Sequence, residues 1–488
     1  MRLRRTFVTG LALAGALAVP LSGAAVADPG APPPPDLPRY AEPPAERHRP
    51  PVGGQPYITD AQGRTLVLRG MNTADDSKWS EDGMPWISKE DVAREAKLIG
   101  SNVVRYLIHW EHIEPQKGKY DDAYLDKVAE RLRWYRKNGI NVVLDMHQDV
   151  YGKAATGNGA PAWATITDGL PIVRRDPWIL TYLEPGVVRA FDHLWGATGK
   201  HPELMDHYVK AWAHVAKRFG NDPAVIGYDL FNEPFRGSTE RAKFEAELLT
   251  PAYQRMIDAI RRYDRDNWIF VEGTAEGVNW GDRTHLQPLR GSRLAYAPHL
   301  YPLELDSGVP YEGEGKAAIQ AAVASWRKNA EQDAARLKMP IWLGEHGFLD
   351  ADNAGFRAYV ADVLNVMNQM GIGGVYWSNN ESRTGPWERD KRLNPMGQVL
   401  AQPYARAIPG VPAGGSFDAA AKTLTVSWKP TTRAPAEVWL PAALYPNGAK
   451  VTAASGKVRT SFDRRTGVLS VWSYGSRAAT QTLTIAPR

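Results

Sequence analysis

The sequence predicts a (β/α)8 barrel followed by a small antiparallel β-sandwich, and three observations carry that expectation. Between residues 57 and 410, short apolar runs alternate with amphipathic helical patterns, the order that yields a parallel sheet. Eight such runs over roughly 350 residues fit a barrel with insertions, since a bare barrel takes about 250. After Pro409 and Pro412 the helical periodicity stops, and short alternating strands with turn signals take over. A doubly wound sheet is the alternative, but no glycine-rich dinucleotide fingerprint follows the first strand.

Taken in order, residues 1–27 read as a secretory signal peptide. Arg2, Arg4 and Arg5 precede the apolar run Leu11–Leu21, and Ala25-Val26-Ala27 forms a small-residue cleavage site before Asp28. The expectation is export, with cleavage between Ala27 and Asp28. Residues 28–56 hold Pro32 to Pro35, Pro43-Pro44 and Pro50-Pro51, which makes them an extended tether without a core. No later segment has about 18 uninterrupted apolar residues, so the mature chain has no spanning helix.

Residues 57–410 form the expected catalytic domain and 411–488 the sandwich. The barrel strands are Leu66–Asn72, Asn102–Ile108, Asn141–Met146, Val225–Phe231, Trp268–Glu272, Leu294–Leu300, Pro340–Gly344 and Gly373–Trp377. Between them lie helical patterns such as Ala123–Lys137, Pro202–Phe219 and Ala317–Leu337. The largest excess over a bare barrel is the stretch 149–200. In the sandwich, Lys422–Trp428, Glu437–Leu440, Lys450–Ala453, Val468–Tyr474 and Thr480–Ile485 read as strands, and Arg464-Arg465-Thr466-Gly467 as a hairpin turn.

Composition narrows the function. With 17 Trp, 20 Tyr and 11 Phe, the chain is too aromatic to be disordered. Cys is 0, which excludes disulfides, a thiolate metal site and a cysteine nucleophile. The formal charge of +5 shrinks once the arginines of residues 1–27 are removed. No basic stripe with interleaved aromatics is present, so nucleic acid is a poor partner. A weak attraction to anionic membrane surfaces stays open.

Barrel enzymes place catalytic groups where strands end at the C-terminal face. Glu233 follows strand four within Asn232-Glu233-Pro234, and Glu345 ends strand seven. Two carboxyls facing across a barrel mouth are what glycoside hydrolysis needs: one protonates the leaving oxygen, and the other attacks the anomeric carbon or activates water. Other strand ends add Arg105, His147, Asp149, Asn232, His299, Tyr301 and Trp377. Arg105 suits holding a carboxylate ionised, Asn232 a sugar hydroxyl, and Trp377 a pyranose face. No His-Glu-x-x-His or Gly-x-Ser-x-Gly pattern occurs, so neither a catalytic metal nor a serine nucleophile is expected. No cofactor is expected.

These motifs resemble glycoside hydrolase family 5. Within it, Leu144-Asp145-Met146-His147-Gln148-Asp149-Val150-Tyr151, Gly157-Asn158-Gly159-Ala160-Pro161-Ala162-Trp163-Ala164 and Tyr228-Asp229-Leu230-Phe231-Asn232-Glu233-Pro234-Phe235 resemble endoglycoceramidases, as does Pro298-His299-Leu300-Tyr301-Pro302-Leu303. Such enzymes cut between the intact glycan and the ceramide of glycosphingolipids. The resemblance implies that Glu233 is the acid/base, that Glu345 is the nucleophile and that the mechanism is retaining. It also implies that Lys78, His147, Asp149 and Asn232 contact the first sugar, while Trp163 and Trp377 shape the site.

The residues agree with a lipid substrate: the 149–200 stretch carries Trp163, Ile166, Leu170, Ile172, Trp178, Ile179, Leu180 and Leu183. They form an apolar lip, or else they pack the insertion onto the barrel. Two departures bear on the sugar beside ceramide. The nucleophile motif reads Glu345-His346-Gly347 where Glu-Phe-Gly is usual, and strand eight runs into Ser378-Asn379-Asn380-Glu381. That sugar is glucose or galactose, the latter marking a branch that accepts galactosylceramide-linked glycans. An endoglucanase or mannanase of the same family is one alternative, and a glycolipid-binding barrel without activity is another. The expected partner is a glycosphingolipid at a membrane or micelle surface, and a monomer is the expected state.

Overall fold

The computed structural model describes residues 57–488 except 348–349, 382–383 and 476–478. The signal peptide and the proline-rich tether read from the sequence lie outside the described residues.

Eight parallel strands form one sheet: β1 (Arg69–Asn72), β2 (Val103–Ile108), β3 (Asn141–Met146), β4 (Val225–Asp229), β5 (Trp268–Val271), β6 (Leu294–Tyr296), β7 (Leu343–His346) and β8 (Gly374–Tyr376). Their spatial order is β6-β5-β4-β3-β2-β1-β8-β7. The remaining seam, β6 against β7, is joined by the parallel bridges Tyr296↔Ile341 and Leu300↔His346, so the sheet closes on itself. This is the expected barrel.

Strand alternation sorts each strand between two environments. Val103, Val143, Phe270, Trp342 and Val375 gather in the lumen. Val104, Tyr106, Val142, Leu144 and Ile269 face the larger cluster beneath the helices. The apolar lumen residues make a floor, sealed where the Trp342 indole donates to the Leu68 carbonyl at 3.0 Å. Two residues further along four of these strands, the same face carries Arg105, Asp145, Glu272 and Trp377.

Local chemistry sets the helices. Ser88 and Asp91 form a reciprocal capping box at the start of Lys89–Leu98. Asn353 caps Ala354–Met370, and Gly371 in the left-handed region ends it.

The sandwich comprises β9 (Tyr404–Ile408), β10 (Gly410–Asp418), β11 (Thr423–Pro430), β12 (Ala436–Trp439), β13 (Ala449–Ala453), β14 (Val458–Asp463), β15 (Val468–Ser473) and β16 (Gln481–Pro487). One antiparallel sheet runs Thr65–Leu66, β9, β12, β15, β14; the other runs β10, β11, β16, β13. The Arg464–Gly467 turn joins β14 to β15 as a hairpin. The run Leu66–Asn72 is not one strand. Thr65–Leu66 pairs with β9 in the sandwich, and only Arg69–Asn72 enters the barrel. The sandwich sheet thus takes in chain on both sides of the barrel.

The two bodies meet closely at Gly100, while a small cavity lined by Met367, Asn368, Pro412 and Leu424 remains elsewhere between them. Gly100 has φ +75, and a Cβ there would lie 2.1 Å from the Trp439 ring. The Tyr404 hydroxyl donates to the Gly100 carbonyl at 2.8 Å. Asn365, on the helix Ala354–Met370, brackets the Phe417 backbone with bonds of 2.8 and 3.2 Å. Gly100→Ala therefore combines a left-handed backbone penalty with overpacking against Trp439. It should lower unfolding stability by about 2–4 kcal/mol, measured by denaturant titration.

Candidate active site

Alternation places Arg105 above Val103, Asp145 and then His147 above Val143, and Glu272 above Phe270, all in the lumen. Arg105 is fully buried and ties this layer together. Its Nη1 donates to Glu345 Oε1 at 2.8 Å and to Asn72 Oδ1 at 3.1 Å. Its Nε donates to Asp229 Oδ2 at 2.8 Å. Its Nη2 reaches Asn232 Oδ1 at 2.9 Å, Glu272 Oε1 at 3.0 Å and Asp145 Oδ1 at 3.0 Å.

Glu233 follows β4 with φ +44, the left-handed region, which costs a non-glycine residue on the order of 1–3 kcal/mol. Bonds at the strand end hold that conformation. The Glu233 N–H donates to Glu272 Oε2 at 2.9 Å, and the Gln148 amide donates to the carbonyls of Asn232 and Glu233 at 2.9 and 3.1 Å. The Glu233 carboxyl meets His299 Nδ1 at 2.9 Å and Asn279 Nδ2 at 2.6 Å.

Glu345 is aimed into the lumen where the β7/β8 register is irregular between Leu343 and His346. It accepts from Arg105 and, at 2.8 Å, from the Tyr301 hydroxyl. His299 Nδ1 lies 3.7 Å from Glu345 Oε2, and its Nε2 lies 3.3 Å from Glu272.

Burial pushes both the Glu233 and the Glu345 carboxyl up. For Glu233 the His299 hydrogen bond and charge win, and it falls below the ordinary value. Glu345 stays above it, with His299 and Arg105 as partial offsets. Burial lowers His299, but Glu272, Glu345 and Glu233 outweigh it and hold the ring well above the usual range. These directions alone would make Glu233 the more acidic group. The hydrogen-bond partners rank the pair the other way: Glu345 receives a guanidinium and a phenol, which favour the carboxylate, whereas Glu233 faces an imidazole that can exchange a proton with it.

The residues read as sugar-binding form one contiguous cluster beside this centre. Lys78 Nζ sits 2.7 Å from Asp149 Oδ2 and 4.2 Å from the centre of the Trp377 ring. Trp377 stacks on His147 with centroids 5.3 Å apart, and His147 Nδ1 bonds Asp145 Oδ2 at 2.7 Å. Burial lowers His147, but the Asp145 charge outweighs it and raises the ring above its ordinary value.

Trp163 makes its hydrogen bond and ring contacts with residues other than these. Its indole donates to the Glu114 carbonyl at 3.0 Å and packs on Trp110 and His207, anchoring the insertion to the barrel's outer shell. His346 points away from the cleft. It packs edge-on to Tyr376, lines a small cavity with Arg69 and Ser101, and is pushed down to about 3 by burial and then by Arg69. Asn379 and Asn380 spend their amides on structure: Asn379 bonds Glu95 and Trp387, and Asn380 clasps Asp75, three residues before Lys78.

The insertion divides its apolar residues. Ile172 packs against the core, while Val173, Trp178 and Ile179 are 50%, 44% and 47% exposed. Trp79, after β1, and Leu303, after β6, are exposed on the same loop face.

Sequence reasoning passed over Asp145, Asp229, Glu272, Gln148 and Asn279. Three of these carried a signal, being carboxylates inside or at the end of apolar strands. Asn279 sits in a loop with none. Glu233, His299 and Glu345 bring donor atoms within 4.8 Å of one another. The Arg105 guanidinium bonded to Glu345 disfavours a cation there.

The family model described as Cellulase (glycosyl hydrolase family 5) matches residues 59–383, and the glycoside hydrolase family 5 C-terminal domain matches 402–485. The chain belongs to glycosyl hydrolase family 5 and is a glycoside hydrolase. It is similar to endo-glycoceramidase II from Rhodococcus sp., at 41% identity over 88% of this chain and 99% of that one. The TM-score is 0.83 to the ganglioside GM3 complex and 0.81 to the lactosyl-enzyme intermediate. Endoglycoceramidase I of Rhodococcus hoagii (strain 103S) is 27% identical, covering 87% of this chain and 86% of its own. A solved endogalactoceramidase shares the fold, with TM-score 0.71 and 24% identity over 90% of this chain and 100% of that one.

Because His346 is buried, neutral and outside the cleft, His346→Phe should leave the pH profile of kcat/KM unmoved from about pH 4 to 9. A pH–rate series on both proteins checks this.

Proposed function

We propose that the protein is a secreted, retaining endo-β-glycosidase that releases the intact glycan from the ceramide of glycosphingolipids. The observation that carries the substrate class is the full-length match, at 41% identity, to a protein solved with ganglioside GM3. Two features of this chain support it. A polar floor of Lys78, Asp149, His147 and Trp377 lies beside the paired carboxyls. The exposed apolar residues Val173, Trp178 and Ile179 stand on loops of the same face, and they suit an amphiphile whose sugar enters the cleft while its lipid stays at the rim.

Retention is supported by spacing. Oxygens of Glu233 and Glu345 come within 4.8 Å, near the about 5–5.5 Å of carboxyls that attack directly and well short of the wider gap a water requires. In this reading Glu345 attacks the anomeric carbon, ionised by Arg105 and held by Tyr301. Glu233 gives its proton to the ceramide oxygen, then takes one from the water that hydrolyses the glycosyl-enzyme. Asn232, held by Arg105, bonds the 2-hydroxyl of the reacting sugar. The lactosyl-enzyme title of the similar protein accords with this course. We take glucose as the sugar beside ceramide. Residues 1–27 direct export and are removed after Ala27.

Incubated with a ganglioside in mild detergent, the protein should release intact oligosaccharide and ceramide. Glu345→Gln should lose roughly a thousandfold or more of that rate. Turnover of a soluble β-glucan, with no release from the ganglioside, would reject the lipid reading. Release only from an oligogalactosylceramide would replace glucose with galactose. Trp178→Ser combined with Ile179→Ser should slow ganglioside cleavage about tenfold through lost apolar contact, and leave a soluble aryl lactoside unaffected. Paired rate measurements on the two substrates check this.

A further inference from the structure

We propose that Glu272 is a positioning residue for the proton-donating step: it holds the backbone of Glu233 in place and keeps the shared proton on the Glu233–His299 pair. The inference rests on the reading of Glu233 as the acid.

Three contacts carry it. Glu272 Oε2 accepts the Glu233 N–H at 2.9 Å, Oε1 accepts from Arg105 Nη2 at 3.0 Å, and Oε1 lies 3.3 Å from His299 Nε2. One buried carboxylate thus touches the acid's backbone, the acid's imidazole partner and the arginine of the other carboxylate. It sits at the end of β5 and is 2% exposed. Arg105 faces it from β2, Asp145 from β3 and Asp229 from β4, while His299 faces it from the segment after β6. The Tyr253 hydroxyl holds its carbonyl at 3.0 Å.

The charge of Glu272 decides where protons lie. Glu272 Oε1 faces Nε2 at 3.3 Å, close but not aligned as a hydrogen bond, and a carboxylate there favours an N–H on that nitrogen. The ring's other nitrogen, Nδ1, then stands 2.9 Å from Glu233 Oε1, and any further proton lies on that line. Glu233 and His299 titrate as one unit, and a negative charge at Glu272 favours its protonated form. That is the form a general acid requires. Glu345, held by Arg105 and Tyr301, is the counter-charge on the far side of His299.

The test compares the full chain with Glu272→Gln, Glu272→Asp and, as a reference, Glu233→Gln. Two soluble substrates are used: a dinitrophenyl β-lactoside, whose leaving group departs unprotonated, and an octyl β-lactoside, whose leaving group needs a proton. Gln keeps the size of Glu272, removes its charge and sets an amide N–H2 against existing donors. Glu272→Gln should lose at least about tenfold more kcat/KM on the octyl than on the dinitrophenyl lactoside. The alkaline limb of its octyl pH profile should move down by about one pH unit or more. Glu272→Asp, which keeps the charge, should recover part of both.

Equal losses on the two substrates with an unmoved alkaline limb would assign Glu272 a structural role only and overturn the proposal, as would an unimpaired Glu272→Gln. Should Glu272→Gln melt far below the parent, Glu272→Asp decides by the same two criteria. Should Glu233→Gln itself show no leaving-group discrimination, the reading of Glu233 as the acid falls and takes the proposal with it. Ganglioside cleavage by the parent is scored separately, so a failure of the substrate reading is seen apart from a failure of this one.

Discussion

The guanidinium of Arg105 is the constraint on which the site depends. It is enclosed in the lumen with Asp145, Asp229, Glu272 and Glu345 within 3.0 Å of its nitrogens. Such a cluster is tolerable away from water only if its charges nearly balance and its lone pairs are used. Charge is partly offset here, while Asp145 Oδ1 and Asp229 Oδ1 are left without a hydrogen-bond partner. Burial, with Glu272 and Asp145 beside it, holds Asp229 well above the usual carboxylate range, while Arg105 acts against it. His147 and His299, each facing carboxylates, are raised and supply further positive charge. The electrostatics of this layer are collective, and each side chain owes its protonation to its neighbours.

Much of this was legible in the sequence because a barrel writes its site at strand ends. His147, Asn232, Glu233, His299, Tyr301 and Glu345 all follow from locating eight strands and reading where each stops, whereas Arg105, read as a strand end, lies inside β2. What escaped did so for physical reasons. Asp145 and Asp229 lie within apolar strands, where a carboxylate reads as an interruption until a buried arginine is placed opposite it. Glu272 was counted as the last residue of a strand. Its role needs the three-dimensional fact that Glu233 turns its N–H back toward β5. Trp163 lies in a string that resembles endoglycoceramidases, and the partner that fixes its indole, the Glu114 carbonyl, is 49 residues away in the chain and not named by that string. Leu66–Asn72 looked continuous because one-dimensional patterning does not register a strand passing from one sheet to another.

The site also joins two solvents. Lys78, Asp149, His147 and Trp377 present charge and a ring face, groups suited to a hydroxylated substrate. The exposed Val173, Trp178 and Ile179 stand on a long insertion in which Trp163 and Ile172 pack against the core. Asn380 contributes at one remove: by clasping Asp75 it braces the turn that carries Lys78, while Asn379 holds Glu95 on the helix Lys89–Leu98.

The pairing of Thr65–Leu66 with Tyr404–Ile408 has a mechanical meaning. The chain enters and leaves the barrel through adjacent strands of one sheet, so the barrel's ends are latched to each other outside the barrel itself. A pull transmitted through residue 57 loads that short ladder, and the Arg64–Glu437 ion pair beside it, before any barrel strand bears tension. The sandwich is in this sense a buckle that joins the two ends of the barrel's chain outside the lumen.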